Sequence, residues 1–338
     1  MVQGWERGTR DAGPGGDEGP ARRPAGRLRR GLLALLVAAA VAVPLAGAAR
    51  PRIPAPPPAR IPPPAVAGLD ATYAAHRANA AEAARTAAGH GYRDRAVAER
   101  ALSTRQLLHF DGRGAGLVTE VLGDLAHAGR VAVLVPGSDT GIDTYGRFRA
   151  TAVALHQRLT REAPTGVRTA VVAWLGYETP GTFSPSVATT GRAEDAAPEL
   201  RELVQDVRAV AAPRTRISVL CHSYGSVVCA RAAAGLDVDD LVFLGSPGTG
   251  ADTAAALHTR ARVWAARGAG DWVEHVPHLD AGLFGTTVGF GTDPVSRAYG
   301  ARVFAAGDGG HSDYFAPGSP SLANLTRIVL GRLQEVTR

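Results

Sequence analysis

Ile217-Ser218-Val219-Leu220-Cys221-His222-Ser223-Tyr224-Gly225-Ser226-Val227-Val228 is the stretch on which the fold turns. It starts as a short apolar run of the kind that forms a buried strand, passes through one polar turn, and resumes as a helix of small residues. A serine at such a turn, with a small residue two positions before it and another two positions after, has the pattern of a nucleophile elbow, G-x-S-x-G. The turn is sharp, so the serine hydroxyl projects from the end of the strand, and small neighbours relieve the resulting crowding. Gly225 meets the second small-residue requirement. Cys221 stands in place of the first glycine and is small enough to serve. An ordinary strand-to-helix turn with a capping serine would look similar, so the rest of the chain has to decide.

Outward from this segment, apolar runs alternate with helical stretches. Strands are expected at Val131–Val135, Thr169–Leu175, Ile217–Cys221, Asp240–Leu244, Arg262–Ala266 and Ala301–Ala305. Helices are expected at Tyr145–Arg161, Glu194–Ala211, Ser223–Ala234, Ala251–His258 and Ser321–Leu333. Alternation of this kind makes parallel strands joined by crossover helices, with both sheet faces covered. An Ala-rich stretch without proline, Leu69–Arg100, reads as one or two further helices. The expected fold is therefore an α/β-hydrolase fold: a mostly parallel sheet with helices on both faces, preceded by an N-terminal helical segment. The domain runs over residues 69–338 with its helical extension at 69–104.

A nucleophilic serine needs a base, and the base needs an orienting acid. In this fold they follow in the order serine, acid, histidine. With the serine strand as the fifth, Arg262–Ala266 is the seventh, and Gly268-Ala269-Gly270-Asp271-Trp272 places Asp271 where the acid sits. The eighth, Ala301–Ala305, leads to Gly307-Asp308-Gly309-Gly310-His311, so His311 is the expected base. Asp252, after the sixth strand, is an alternative acid, and Asp280 and Asp293 are others. His222, His275 and His278 read as packing or surface residues, with the elbow expected to turn His222 away from the base. The oxyanion of a tetrahedral intermediate needs two backbone N–H donors. Tyr224, directly after the serine, supplies one. Ser138, in the loop Val135-Pro136-Gly137-Ser138 after the third strand, is the expected second. This chemistry requires no metal and no organic cofactor.

Several blocks together resemble an actinobacterial α/β-hydrolase family, the domain of unknown function 1023. They are Arg105–Asp111, Val131–Gly137, Ala173–Pro180, His222–Ser226, Asp240–Gly248 and Val263–Asp271, within a likeness that spans Asp70 to Asn324. The elbow of that family usually reads Gly-His-Ser-Tyr-Gly, so Cys221 is a departure. The resemblance implies the fold and a serine nucleophile, and it implies no particular substrate.

Composition narrows the alternatives. In 338 residues all 37 basic side chains are arginine, which excludes a Walker A lysine and lysine Schiff-base chemistry. The net charge of +6 comes entirely from residues 1–60, so the folded part has no basic face for nucleic acid. Two cysteines, Cys221 and Cys229, cannot build a disulfide framework. They are expected to stay unpaired, with the elbow turn separating them. The segment Tyr177–Pro198, rich in Gly, Ser, Thr and Pro, reads as a lid. A hydrolase acting on a small-molecule or cell-envelope ester, thioester or amide is the leading reading. A non-catalytic envelope-binding or scaffolding protein that keeps the fold is the competing one.

Residues 1–49 combine an Arg-rich start, an apolar run from Gly31 to Ala49 broken by Pro44, and small residues at Ala46 and Ala48. This is the pattern of a secretory signal, with a membrane anchor as its alternative. Either places the domain outside the cytoplasmic membrane, secreted or held at its outer face, so membrane contact is expected only through this segment if it stays uncleaved. Residues 50–68, Pro-rich over 51–64, read as a stiff extended spacer. Export predicts that N-terminal sequencing of secreted protein starts just after Ala48 or Ala49. Membrane-retained protein that still begins at Met1 would establish the anchor instead.

Overall fold

Val131, Val133 and Val135 pack into one apolar layer, and Ala132 and Leu134 pack into another. The same alternation runs through Ala170–Leu175 and Ile217–Cys221, because successive strand side chains point to opposite faces. A sheet apolar on both faces must be covered on both, and here it is. The computed structural model describes residues 53–182, 189–276, 280–283 and 286–338. The expected signal segment, residues 1–49, and His278 lie outside the described residues.

The elements follow as α1 (Leu69–Gly89), α2 (Arg93–Leu102), β1 (Gln106–Asp111), β2 (Leu117–Gly123), β3 (Arg130–Val135), α3 (Tyr145–Glu162) and β4 (Thr169–Leu175). Then come α4 (Gly191–Val210), β5 (Arg216–His222), α5 (Gly225–Ala232), β6 (Asp240–Leu244) and β7 (Arg262–Ala266). A hairpin of β8 (Asp280–Leu283) and β9 (Thr286–Gly289) precedes β10 (Arg302–Val303) and α6 (Pro320–Leu330). The main sheet has eight strands in the order β1-β2-β4-β3-β5-β6-β7-β10. β2 pairs antiparallel with both β1 and β4, and the other pairs are parallel. Helices α4 and α5 cover one face, and α3 and α6 cover the other. This is the α/β-hydrolase arrangement, with an N-terminal helical segment.

α1 is driven by small residues. Ala80, Ala83, Ala84 and Ala87 form a fully buried stripe at helical spacing, and the chain breaks at Gly91, whose φ is +82°. The segment from Ile53 to Pro64 is not a free spacer. Ile53 is buried, its carbonyl accepts the Gly114 N–H at 3.1 Å, and Asn79 Nδ2 donates to the Pro57 carbonyl at 2.8 Å. Burial of the apolar Ile53 side chain favours docking over extension into water.

Three further expectations change. Ala251–His258 forms only a short 3₁₀ turn at Ala255–Leu257. The Ala254 N–H is taken by the Tyr299 carbonyl, and His258 ends the turn at φ +50°. The proposed lid does not run to Pro198, since α4 already begins at Gly191 and contains that proline. At the other end of that segment, Tyr177 OH donates to the Pro136 carbonyl at 2.7 Å and Asp139 N donates to the Pro180 carbonyl at 3.0 Å. Residues 177–182 are therefore strapped to the loop after β3, while residues 183–188 lie outside the described residues. β10 is shorter than expected because Ala305 N leaves the sheet to bond the Thr337 carbonyl.

The two cysteines are not free. Cys221 and Cys229 form a disulfide with their Cα atoms 6.4 Å apart. Ile217, Val219 and Cys221 all face the layer in which Val228, Cys229 and Ala232 of α5 pack. The helix doubles back after the elbow, so eight residues of chain return Cys229 to the end of its own strand instead of carrying it away. Thiol titration of unreduced, denatured protein should find no free thiol, and two after reduction. Cys229→Ala should lower folding stability by about 2–3 kcal/mol, read by chemical denaturation.

Candidate active site

Ser223 sits at the carboxyl end of β5 with φ +53°, a left-handed conformation that is uncommon for a residue with a side chain. The turn is held by the Ser223 N–H donating to the Leu244 carbonyl at 2.9 Å and the Ser226 N–H donating to the Ser223 carbonyl at 2.9 Å. Two glycines make room for it. A Cβ on Gly225 would lie 2.6 Å from the Pro136 carbonyl oxygen, and one on Gly137 would lie 2.6 Å from Ser223 Cβ. The loop after β3 therefore presses directly against the serine. Ser138 and Tyr224 line the same cavity as Ser223.

Asp271 and His311 come from loops after β7 and β10, beyond the same sheet edge. His311 Nδ1 lies 2.9 Å from Asp271 Oδ1 and 3.1 Å from Oδ2. The Asp271 carboxylate also accepts the Val273 N–H at 2.9 Å and the Tyr314 hydroxyl at 2.5 Å. Burial pushes its pKa up, but these hydrogen bonds outweigh it and hold the carboxyl below its ordinary value. Its side chain is fully buried, whereas that of His311 keeps 15% exposure. With Nδ1–H donating to the carboxylate, the neutral ring carries its lone pair on Nε2. Ser223 and His311 line one cavity of about 710 Å³.

The competing acids are placed elsewhere. Asp293 is paired with Arg267 at 2.5 Å and accepts the Val295 N–H. Asp252 is exposed and lies beside Gly291. Only the backbone of Asp280 is described, in β8. His275 is exposed.

Two residues of the site escaped the sequence reading. Tyr314 bonds Asp271 and accepts the Gly268 N–H at 3.1 Å, so it ties the acid to the loop that carries it. Its 43-residue separation from Asp271 left no local pattern, though its place three residues after His311 was a signal. His222 is the second, and its expected turn away from the base is corrected. Its Nε2 lies 2.7 Å from the His311 carbonyl, and the two rings are 4.7 Å apart. Strand alternation explains this. Cys221 faces α5, so His222 faces the opposite layer, where the loop of His311 arrives. Trp272 lies 4.7 Å from the His311 ring as well, so two aromatic neighbours confine the imidazole. Burial and the neighbouring His311 push the His222 pKa down to about 4.

Among known proteins, a family model described as alpha/beta hydrolase matches residues 111–281. The chain is 32% identical over 249 residues to the uncharacterized protein Rv2079 of Mycobacterium tuberculosis, an alignment covering 66% of this chain and 38% of that protein. It is 33% identical over 138 residues to the uncharacterized protein Rv0963c of the same organism, covering 38% of this chain and 51% of that one. The chain thus spans well under two thirds of the length of these relatives. Among solved structures, XC6422 from Xanthomonas campestris, described as an a/b serine hydrolase without lid, is 19% identical with a TM-score of 0.40, covering 66% of this chain and 92% of that one. Esterase PE8 is 17% identical with a TM-score of 0.43, covering 65% and 99%.

The depressed pKa of His222 has a thermodynamic sign. Below the ordinary histidine value near 6.5, the unfolded chain takes up a proton at this ring that the folded chain refuses. Its contribution to stability is therefore complete above that pH and lost as pH falls toward about 4. His76, also pushed down to about 4 by burial, acts in the same direction. The melting temperature should fall across this window, and His222→Gln should make the fall shallower without abolishing it.

Proposed function

This chain belongs to the alpha/beta hydrolase family, and we propose that it is an exported serine hydrolase cleaving an ester, thioester or amide through Ser223, His311 and Asp271. The observation that carries the reading is the convergence of a strained serine and a carboxylate-bonded histidine on one cavity. Ser223 Oγ attacks the substrate carbonyl carbon while His311 Nε2 takes the hydroxyl proton. Asp271 fixes the imidazole tautomer and stabilises the imidazolium. The carbonyl electrons move onto oxygen, where the N–H groups of Tyr224 and Ser138 stabilise the charge. The tetrahedral species collapses, His311 hands its proton to the leaving group, and an acyl-serine remains. Water, deprotonated by His311, then releases the acid and restores Ser223.

The placement outside the cytoplasmic membrane rests on the Arg-rich, apolar pattern of residues 1–49. A disulfide at Cys221–Cys229 fits that reading, since such bonds persist in oxidising compartments. The block resemblance to the domain of unknown function 1023 supports reading the chain as a member of that branch of the family. A binding-only descendant would have little reason to keep an acid buried against its histidine, which disfavours the scaffold reading.

A fluorophosphonate probe should label the wild type at Ser223 and leave Ser223→Ala unlabelled. Turnover of a reactive ester should fall about 10⁴-fold in Asp271→Asn with little change in KM. Asp252→Asn, Asp280→Asn and Asp293→Asn should each be far milder. An unlabelled wild type would refute the hydrolase reading, and a dead Asp252→Asn beside a normal Asp271→Asn would move the acid.

A further inference from the structure

The cavity at Ser223 is lined by strand and helix residues as well as by loops. Besides the elbow and the His311 loop, it is lined by Leu134 of β3 and Leu220 of β5, both about 1% exposed, and by Phe315. Those three belong to the apolar layer between the sheet and helices α3 and α6. A further part of the lining comes from the start of α3. Thr144, which precedes α3, and Phe148 and Thr151 within it recur at i, i+4 and i+7, and they line the cavity together with Arg147. The Thr151 hydroxyl is already spent on the Phe148 carbonyl at 2.6 Å, and Phe148 packs against the same apolar layer. A strand–helix interface of this kind is normally closed by side chains in contact. Here the residues of that interface also line the cavity that holds Ser223.

A polar acyl group would gain nothing from Leu134, Leu220, Phe148 and Phe315, and it would lose its hydration there. A flexible hydrocarbon chain would be desolvated along its length. We infer that the apolar part of this cavity's lining is an acyl-chain seat, so that the substrate is an ester or thioester of an aliphatic acid longer than acetate, with α3 setting the preferred chain length. The inference rests on the serine-hydrolase reading above and narrows its substrate class. On acylation the chain lies in the seat, the bond from Ser223 Oγ to the acyl carbon forms, the bond from that carbon to the leaving group breaks, and the departing group takes the proton from His311.

The test compares para-nitrophenyl acetate, butyrate, octanoate and palmitate on the purified chain. It is joined by rates of Ser223 phosphonylation by ethyl and octyl fluorophosphonates, which do not require deacylation. Each buried methylene can add up to roughly fourfold, so octanoate should exceed acetate in kcat/KM by about a hundredfold or more, and the octyl probe should outpace the ethyl probe. Thr151→Phe, which fills the seat from α3, should collapse the octanoate-to-acetate ratio by about tenfold or more. A circular-dichroism melt confirms that the variant is folded, and the probe ratio in the wild type stands independently of it. Equal rates for acetate and octanoate, with Ser223 still labelled, would overturn the acyl seat and leave the hydrolase reading standing. A chain-length preference that Thr151→Phe does not alter would overturn its location. No labelling of Ser223 by either probe would defeat the hydrolase reading and the seat together.

Discussion

A single backbone angle governs the architecture around the site. Ser223 is held at positive φ, which costs on the order of 1–3 kcal/mol and persists only where the surroundings over-determine it. The surroundings do so from several directions. β6 accepts the serine N–H through Leu244, the loop after β3 presses Gly137 against the serine side chain, and the Gly225 backbone abuts the Pro136 carbonyl. The disulfide fastens the strand before the turn to the helix after it. Each restraint comes from a different element, so the elbow tightens only once β3, β5, β6 and α5 are assembled.

The opposite end of the sheet carries a counterpart. Asp240, fully buried at the start of β6, accepts from Arg262, Arg216 and Trp264 Nε1, with Arg262 Nε at 2.8 Å. A buried carboxylate is expensive unless paired, and here neighbouring strands supply the partners. This network fixes the register of β5, β6 and β7 at their amino ends. Register at that end determines where the loops emerge at the other, and so where Asp271 stands relative to Ser223.

Much of this was legible in the residues, for a physical reason. β3, β4, β5, β6 and β7 are covered on both faces and read as unbroken apolar runs. Counting them put Asp271 on the loop after β7, and the apolar run Ala301–Ala305 beyond them put His311 on its own loop. β1 and β2 were not named as strands, because Gln106, His109, Asp111, Thr119 and Glu120 interrupt their apolar content at an antiparallel edge. The tie between Tyr314 and Asp271 and the ring contact between His222 and His311 join distant segments, and no local spacing encodes them. The disulfide is not legible locally, because an elbow between Cys221 and Cys229 suggests separation, whereas the reversal of α5 over β5 brings the two sulfur atoms together.

The brevity of β10 has a consequence for how the molecule behaves among its own copies. A sheet margin with free N–H and C=O groups is a template on which another chain can add, and proteins commonly blunt it by shortening or charging the last strand. Here the margin offers only Arg302 and Val303 before the backbone departs to bond Thr337. The guanidinium of Arg302 also lies over the Trp264 ring at 5.4 Å. Two residues make too short a ladder to seed growth, so at high concentration this margin of the sheet should not zip onto a second copy, and contact there has to use side-chain surfaces.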